Sequence, residues 1–342
     1  MPFSFMTKCY TQQFTPFFIN NFLPLALLFM PEQRSPFISI CIPAYKRTHY
    51  LRRLLQSIAD QTFKDFGVVL SDDSNDNSVE LIAAEFGDRF TIQYYHNKPS
   101  LGTPANWNFA ISKANGEWIK LMHDDDWFAT ETSLQAFANA TTKGDKFITC
   151  DYDYIDDNGK IARTMILTSF RKKLILKQPM TLLYDNYIGQ PSVVMVHHSV
   201  TAIYNERMKW RVDIDYYMQL LYSERTFSSI PETLVHLGIN AMQVTNSCLN
   251  VPGVELPEGK MLLEKYGTKS LRNIFVYDAW WRIIRNTGTR NTETLYQYVA
   301  TWPKEIVTMT QTQGRINSKL LKNGAVSKFF MTLQYLFSLK KS

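Results

Sequence analysis

The chain of 342 residues has no apolar run approaching the roughly 20 residues that a membrane-spanning helix needs. Its early run, Phe22–Phe29, is far shorter. It also lacks a basic flank and a small-residue cleavage site, so a secretory leader is not expected. Cysteine is scarce: Cys9, Cys41, Cys150 and Cys248 lie far apart, with no C-x-x-C pair. That excludes a small disulfide scaffold and a zinc site of ordinary spacing, and it suits a reducing cytoplasm. No G-x-G-x-x-G loop is present, which leaves a dinucleotide-binding reading little support. Gly253–Lys260 only imitates a phosphate loop: its glycines are one residue too far apart, and Met261 stands where Ser or Thr is needed. There is no nucleophile elbow, internal repeat, low-complexity linker or Q-x-x-R-W motif, and the His197-His198 pair has no further ligand spacing. With 45% hydrophobic and 20% charged residues, the chain can bury a sizeable core and is not disordered as a whole.

What is present is an alternation of short apolar runs with helical periodicity. Phe37–Ile42, Phe66–Ser71, Thr91–Tyr95 and Trp118–Met122 read as buried strands. Leu51–Ile58 has helical spacing, Ser78 is placed to cap a second helix, and Pro104–Ala114 reads as a third. This predicts an α/β layer with a mostly parallel sheet, in which ligands bind beyond the carboxyl ends of the strands. Further along, Phe147–Cys150 and Val193–Val196 read as strands and Asp213–Glu224 as a helix. Leu262–Ile284 reads as helical with a break near Gly267, and helix returns after Ile306.

Two acid-rich stretches, 72–76 and 124–126, fall where predicted strands end. Adjacent carboxylates repel one another, and a cation relieves that cost. Oxygen donors in this number suit Mg²⁺ or Mn²⁺, which leave positions open for phosphate oxygens. Solvated acidic turns are common, so a lone Asp triplet would carry little weight. A strand running straight into the triplet, with a second acidic strand end beside it, carries more. The net charge of +6 would suit nucleotide phosphates or an anionic lipid surface. It forms no concentrated stripe, so no nucleic-acid partner is expected.

These segments, in this order, resemble the family 2 glycosyltransferases. Ser39–Arg47 followed by Gln61-Thr62 is similar to the family's opening, and Val68–Ser74 to its second strand and acidic turn. Leu101-Gly102 through Asn108, Ala114–Ile119 and His123–Asp126 follow in sequence, the last in the family's D-x-D region. The resemblance covers roughly residues 37–130. It implies a GT-A fold, a Rossmann-like sheet flanked by helices, with a nucleotide-diphosphate sugar donor (a UDP-sugar expected), a divalent cation and inversion at the anomeric carbon. It also implies that Pro43, Ala44, Tyr45 and Arg47 hold the nucleotide, with Asp72 or Asp73 on the base. Asn108 belongs to the same donor set, Asp124 lies near the ribose or donor sugar, and Asp125 and Asp126 lie closest to the metal. The family's general base then falls at Asp213, with Asp215 second. Gln190, Pro191, Ser192 and His236 fall on the acceptor side, followed by Gln243–Thr245. Two positions depart from the pattern: His123 stands for its first Asp, and Trp107 for an Arg before the Asn of the third segment.

The expected organisation is a tail at 1–35, with a native start at Met30; a catalytic domain at 36–250; and a helical region at 251–342. The last helix carries Phe329, Phe330, Leu333, Leu336 and Phe337 among lysines. Such a basic amphipathic helix suits either packing on the domain or contact with the inner face of the cytoplasmic membrane, where a glycan or lipid-linked acceptor would lie. Two rivals stand beside the transferase. One is a nucleotidyltransferase that makes the activated sugar. The other is a catalytically degenerate homologue that binds a glycan or partner.

Overall fold

The computed structural model describes residues 34–239 and 245–340. The proposed tail up to residue 33 and its start at Met30 lie outside the described residues, as do Gln243 and Val244.

The first strand, β1 (Ile38–Ala44), is buried along its whole length. An uninterrupted Ile-Ser-Ile-Cys-Ile run is what a strand covered on both faces requires. It is followed by α1 (Thr48–Ala59), which turns Leu51, Leu54, Leu55 and Ile58 onto the sheet. Next come β2 (Phe66–Asp72), α2 (Ser78–Ala84), β3 (Ile92–His96), α3 (Ala105–Ser112) and β4 (Trp118–Leu121). β1 pairs in parallel with both β2 and β4, and β2 with β3. The predicted parallel layer is therefore present, and Cys41 lies fully buried within it.

Beyond β4 the chain adds β5 (Trp127–Phe128), α4 (Ser133–Ala140), β6 (Phe147–Ile155), β7 (Ile161–Met165) and α5 (Ser169–Lys177). Then follow β8 (Val194–His197), α6 (Val212–Glu224) and β9 (Ser228–Gly238). The described strands form one sheet ordered β3-β2-β1-β4-β8-β6-β9-β5, with β7 on the side of β6. β8 runs antiparallel to β4 and β6, whereas β6 and β9 are parallel.

Periodicity misses β9 because Pro231-Glu232 interrupts its apolar pattern. The ladder to β6 slips there, passing from Cys150↔Ile230 to Asp151↔Thr233. Proline has no N–H to donate and is tolerated at such a bulge. Ser78 is also not a cap. It is the first residue of α2, and its N–H and hydroxyl both donate to Asp76 Oδ1.

The remainder is helical: α7 (Thr245–Cys248), α8 (Pro252–Tyr266), α9 (Ile274–Asn286), α10 (Thr292–Tyr298), α11 (Lys304–Arg315), α12 (Ser318–Lys322) and α13 (Gly324–Lys340). The expected break falls at Gly267, whose φ of +93° is a conformation that other residues avoid. α13 packs one side on α9, where Trp281 Nε1 donates to Ser327 Oγ and Lys328 pairs with Asp278. Its other side leaves Phe329, Leu333, Leu336 and Phe337 exposed. No described helix is long and apolar enough to cross a membrane.

Candidate active site

Parallel pairing brings the carboxyl ends of β1, β2 and β4 level. Asp72 lies opposite Ala44, and Met122 N donates to Cys41 O. The chain leaves β1 through Tyr45, Lys46 and Arg47, and leaves β4 through the 123–126 turn. Arg47 joins the two: its guanidinium pairs with Asp124, and with Asp125 at 2.9 Å. Tyr45 N also donates to Asp124, at 3.4 Å. Pro43 and Ala44 are buried in the strand, whereas the Tyr45 ring is half exposed.

Asp126 is fully buried. Its Oδ1 accepts from Gly238 N at 3.1 Å, its Oδ2 is covered without a well-aligned partner, and the Ser192 hydroxyl eases the carboxylate's charge. Gly238 is required here, because a Cβ would stand 2.5 Å from Asp125 O. Burial pushes the Asp124 carboxyl up to about 7, against the pull of Arg47, and pushes Asp126 well above the carboxylate range, with the Asp125 charge adding to it. Burial likewise drives His123 down to about 4. Its ring lies 4.6 Å from that of Trp107. One ligand atom from each of His123, Asp125 and Asp126 falls within 4.8 Å of the other two. Buried carboxylates that resist ionising, one with an orphaned oxygen, fit a divalent cation, whose charge reverses the local cost.

The acidic turn after β2 is built differently. Asp72 accepts from Ser74 N and from the Tyr94 hydroxyl, both at 2.7 Å. Asp73 accepts from Asn97 Nδ2, Leu101 N and Gly102 N, and so pins the 101–102 loop. Asn108 is similarly engaged, exchanging hydrogen bonds with the Tyr204 backbone and donating to Glu206.

Asp213 lies in the first turn of α6. Its Oδ1 accepts from Ile214 N, and its Oδ2 from Asn186 Nδ2 at 2.7 Å. Asn186 also exchanges hydrogen bonds with Gly189, so one amide ties the carboxylate to the Gly189–Ser192 segment. Burial raises Asp213 to about 6. The Tyr154 phenol, raised first by its own burial, feels the charges of both Asp126 and Asp213. Asp215 is fully buried and committed elsewhere, to Lys265 at 2.9 Å and the Tyr266 hydroxyl at 2.7 Å. The N-terminus of α6 is held from α8. Glu258 accepts from Lys209 N, Trp210 N and Arg211 N, and Glu255 pairs with buried Arg211 at 2.8 Å.

Of the residues expected on the acceptor side, Ser192 reaches the triplet. Its Oγ accepts from His123 N, and its carbonyl from buried Lys120. Gln190 and Pro191 lead into the same short helical turn. His236 sits across from Trp127 in the sheet, its Nδ1 3.8 Å from Asp153. Sequence reasoning missed Lys120, Arg53, Asn186 and Glu258. Lys120 had a signal, a lone charge inside the apolar Trp118–Met122 run. Arg53 reaches Asp125 O while stacking 3.4 Å over Trp127, and nothing in its own helix announces that.

The model for "Glycosyl transferase family 2" matches residues 39–207. The chain belongs to this family. It is a glycosyltransferase, and the family match disfavours the nucleotidyltransferase reading. It is 25% identical over 223 residues to an uncharacterized glycosyltransferase of Rickettsia typhi, covering 63% of this chain and 68% of that one. Among solved structures it resembles Staphylococcus aureus TarS in complex with UDP-GlcNAc, with a TM-score of 0.55 and 15% identity, covering 81% of this chain and 90% of that one. It also resembles the mannosyltransferase PcManGT of Pyrobaculum calidifontis in complex with GDP-Man and Mn²⁺, with a TM-score of 0.54 and 12% identity, covering 89% and 86%. The fold of this glycosyltransferase is thus GT-A.

Proposed function

We propose that this glycosyltransferase moves a sugar from a nucleotide-diphosphate sugar, a UDP-sugar foremost, to a hydroxyl of a glycan or lipid-linked acceptor, with inversion. Asp213 takes the proton of the acceptor hydroxyl. The acceptor oxygen forms its bond to the anomeric carbon as the bond from that carbon to the phosphate oxygen breaks, and the nucleoside diphosphate leaves with the electron pair. Mn²⁺ or Mg²⁺, held by Asp125 and Asp126, would supply charge stabilisation to the diphosphate. Arg47 orients Asp124 and Asp125 beside the β1 exit, where Pro43–Tyr45 would meet the nucleotide. Asp72 and Asp73 shape the floor for its base.

Asp213 carries the reading. It is a helix-start carboxylate tuned to about 6 and held by a single side-chain amide. A base poised near neutral pH is what proton abstraction from a hydroxyl uses. The commitment of Asp215 to Lys265 and Tyr266 favours Asp213 over it. The ligands of the two structural neighbours support a nucleotide-sugar donor. A role in bacterial polysaccharide biosynthesis, at the inner face of the cytoplasmic membrane, accords with the exposed apolar side of α13. Lys319 and Lys322 on α12 and Lys340 at the end of α13 supply basic charge nearby.

The test is a panel of nucleotide sugars incubated with Mn²⁺ and simple glycan acceptors, followed by NMR of the product's anomeric configuration. A β-linked product from an α-linked donor supports the proposal, whereas retention of configuration contradicts it.

A further inference from the structure

The two departures from the family pattern meet in space. Trp107 and His123 stack with their rings 4.6 Å apart, tilted by 40°. The other side of Trp107 meets Tyr204 edge-on at 5.2 Å. The imidazole is thus held by a wall of aromatic carbon, and its backbone N–H is anchored on Ser192 Oγ at 2.9 Å. Its nitrogens are not used by the fold. Nε2 is covered and makes no hydrogen bond, and Nδ1 stands 3.9 Å from Asp126 Oδ2, too far for one. Asp126 Oδ2 is itself covered and lacks a well-aligned hydrogen bond, on a carboxylate with no exposed surface whose charge the Ser192 hydroxyl eases only in part. Buried polar atoms without partners are rare in native proteins and call for an explanation. Both side chains offer one ligand atom each to a set shared with Asp125, all within 4.8 Å. Donors bonded to one ion at about 2.1 Å lie roughly 3 to 4 Å apart, the range in which the 3.9 Å between His123 Nδ1 and Asp126 Oδ2 falls, so Nδ1 is the nitrogen placed to bind.

We propose that His123 is a nitrogen ligand, completing with Asp125 and Asp126 a mixed nitrogen–oxygen cation site. This deepens the metal-dependent reading above and rests on it. An imidazole among carboxylates moves the preference of the site away from Mg²⁺, which favours an all-oxygen shell, toward transition ions such as Mn²⁺ and Co²⁺. The change at His123 is then a retuned metal site. It is not a sign of lost catalysis, and the companion change at Trp107 supplies the surface that fixes the ring. Removal of ordinary supporting groups around metal ligands costs about 10–100-fold in affinity, so loss of His123 should cost at least about 10-fold.

The experiment uses the full chain and Mn²⁺ alone. Pulsed electron paramagnetic resonance of the bound ion reports a directly coordinated ¹⁴N, and titration gives the affinity. Wild type should show nitrogen coupling. His123→Ala should lose the coupling and bind Mn²⁺ about 10-fold or more weakly. His123→Asp should recover binding without the coupling, and its Mn²⁺-over-Mg²⁺ preference should fall. That last variant keeps the test open if the alanine variant folds poorly. Mn²⁺ bound in wild type and lost in Asp125→Ala, but with no nitrogen coupling, overturns the role of His123 and leaves the metal site standing. Absence of any specific Mn²⁺ binding overturns the metal-dependent reading, and this proposal with it.

Discussion

Two acidic turns lie at the ends of β2 and β4, on either side of β1, and they are opposites. In the first, Asp72 and Asp73 accept from Ser74, Tyr94, Asn97, Leu101 and Gly102, and the carboxylates hold loops in place. In the second, Asp126 keeps a buried oxygen with no well-aligned partner, His123 keeps a nitrogen in the same state, and burial pushes Asp124 and Asp126 toward protonation. One turn is a satisfied hydrogen-bond network, and the other keeps buried polar atoms without well-aligned partners beside its Arg47 ion pairs. Their sequences, Asp-Asp-Ser and Asp-Asp-Asp, scarcely differ. What separates them is the supply of donors. The 101–102 backbone comes to the first turn, whereas the second is closed by Trp107, Gly238 and the sheet.

The largest expected effect comes from the carboxylate outside both turns. Asp213→Asn should lower kcat by about 10³-fold, within the range for general-base removal, with Mn²⁺ affinity unchanged. An equal loss of ion binding would mean that α6 and the triplet are one structural unit. The same residue sets the pH response. Raised to about 6, Asp213 is protonated below that value, so kcat/KM should climb as pH rises through about 6 and level off above. The climb should be absent in Asp213→Asn.

The contrast between the turns is sharpest in thermal denaturation. Saturating Mn²⁺ at about 100 times its Kd should stabilise the wild type by about 2.7 kcal/mol. Asp126→Ala should abolish that gain, whereas Asp73→Ala should keep it. Asp73→Ala should instead lower the ion-free stability by about 2 kcal/mol, because it strips a charged acceptor from three donors, buried Asn97 among them. Loss of the Mn²⁺ effect in Asp73→Ala would erase the distinction. A smaller effect is expected at Glu258→Gln, which weakens the clamp on the start of α6. Stability should fall by about 1 kcal/mol, with kcat reduced more than ion affinity. A variant that binds the ion less tightly but keeps its kcat would contradict a clamp acting through Asp213.

The legibility of the molecule follows the same division. β1 to β4 and their helices were readable because each strand carries its own apolar run, and parallel strand ends gather ligands whatever the chemistry. Both acidic turns were readable as strand ends, and the ordered motifs then gave the family. Which turn would hold an ion came from the resemblance alone, since the contrast between them depends on donors from residues 97–102 and 238 that pairing alone brings in. Asp213 was readable as a helix-start acid, but its partner Asn186 and the Glu255–Glu258 support from α8 are long-range contacts without local signal. β9 was hidden by the Pro231 bulge. The commitment of Asp215 to Lys265 and Tyr266 could be seen only in three dimensions.

The central claim is that the 123–126 turn binds a cation which sugar transfer requires. It is tested most directly by release of nucleoside diphosphate from a panel of nucleotide sugars, in Mn²⁺ and in EDTA, for wild type and Asp126→Ala. The account predicts release from one donor in Mn²⁺, abolished by EDTA and by the substitution. Release that continues undiminished in EDTA and in Asp126→Ala would contradict it.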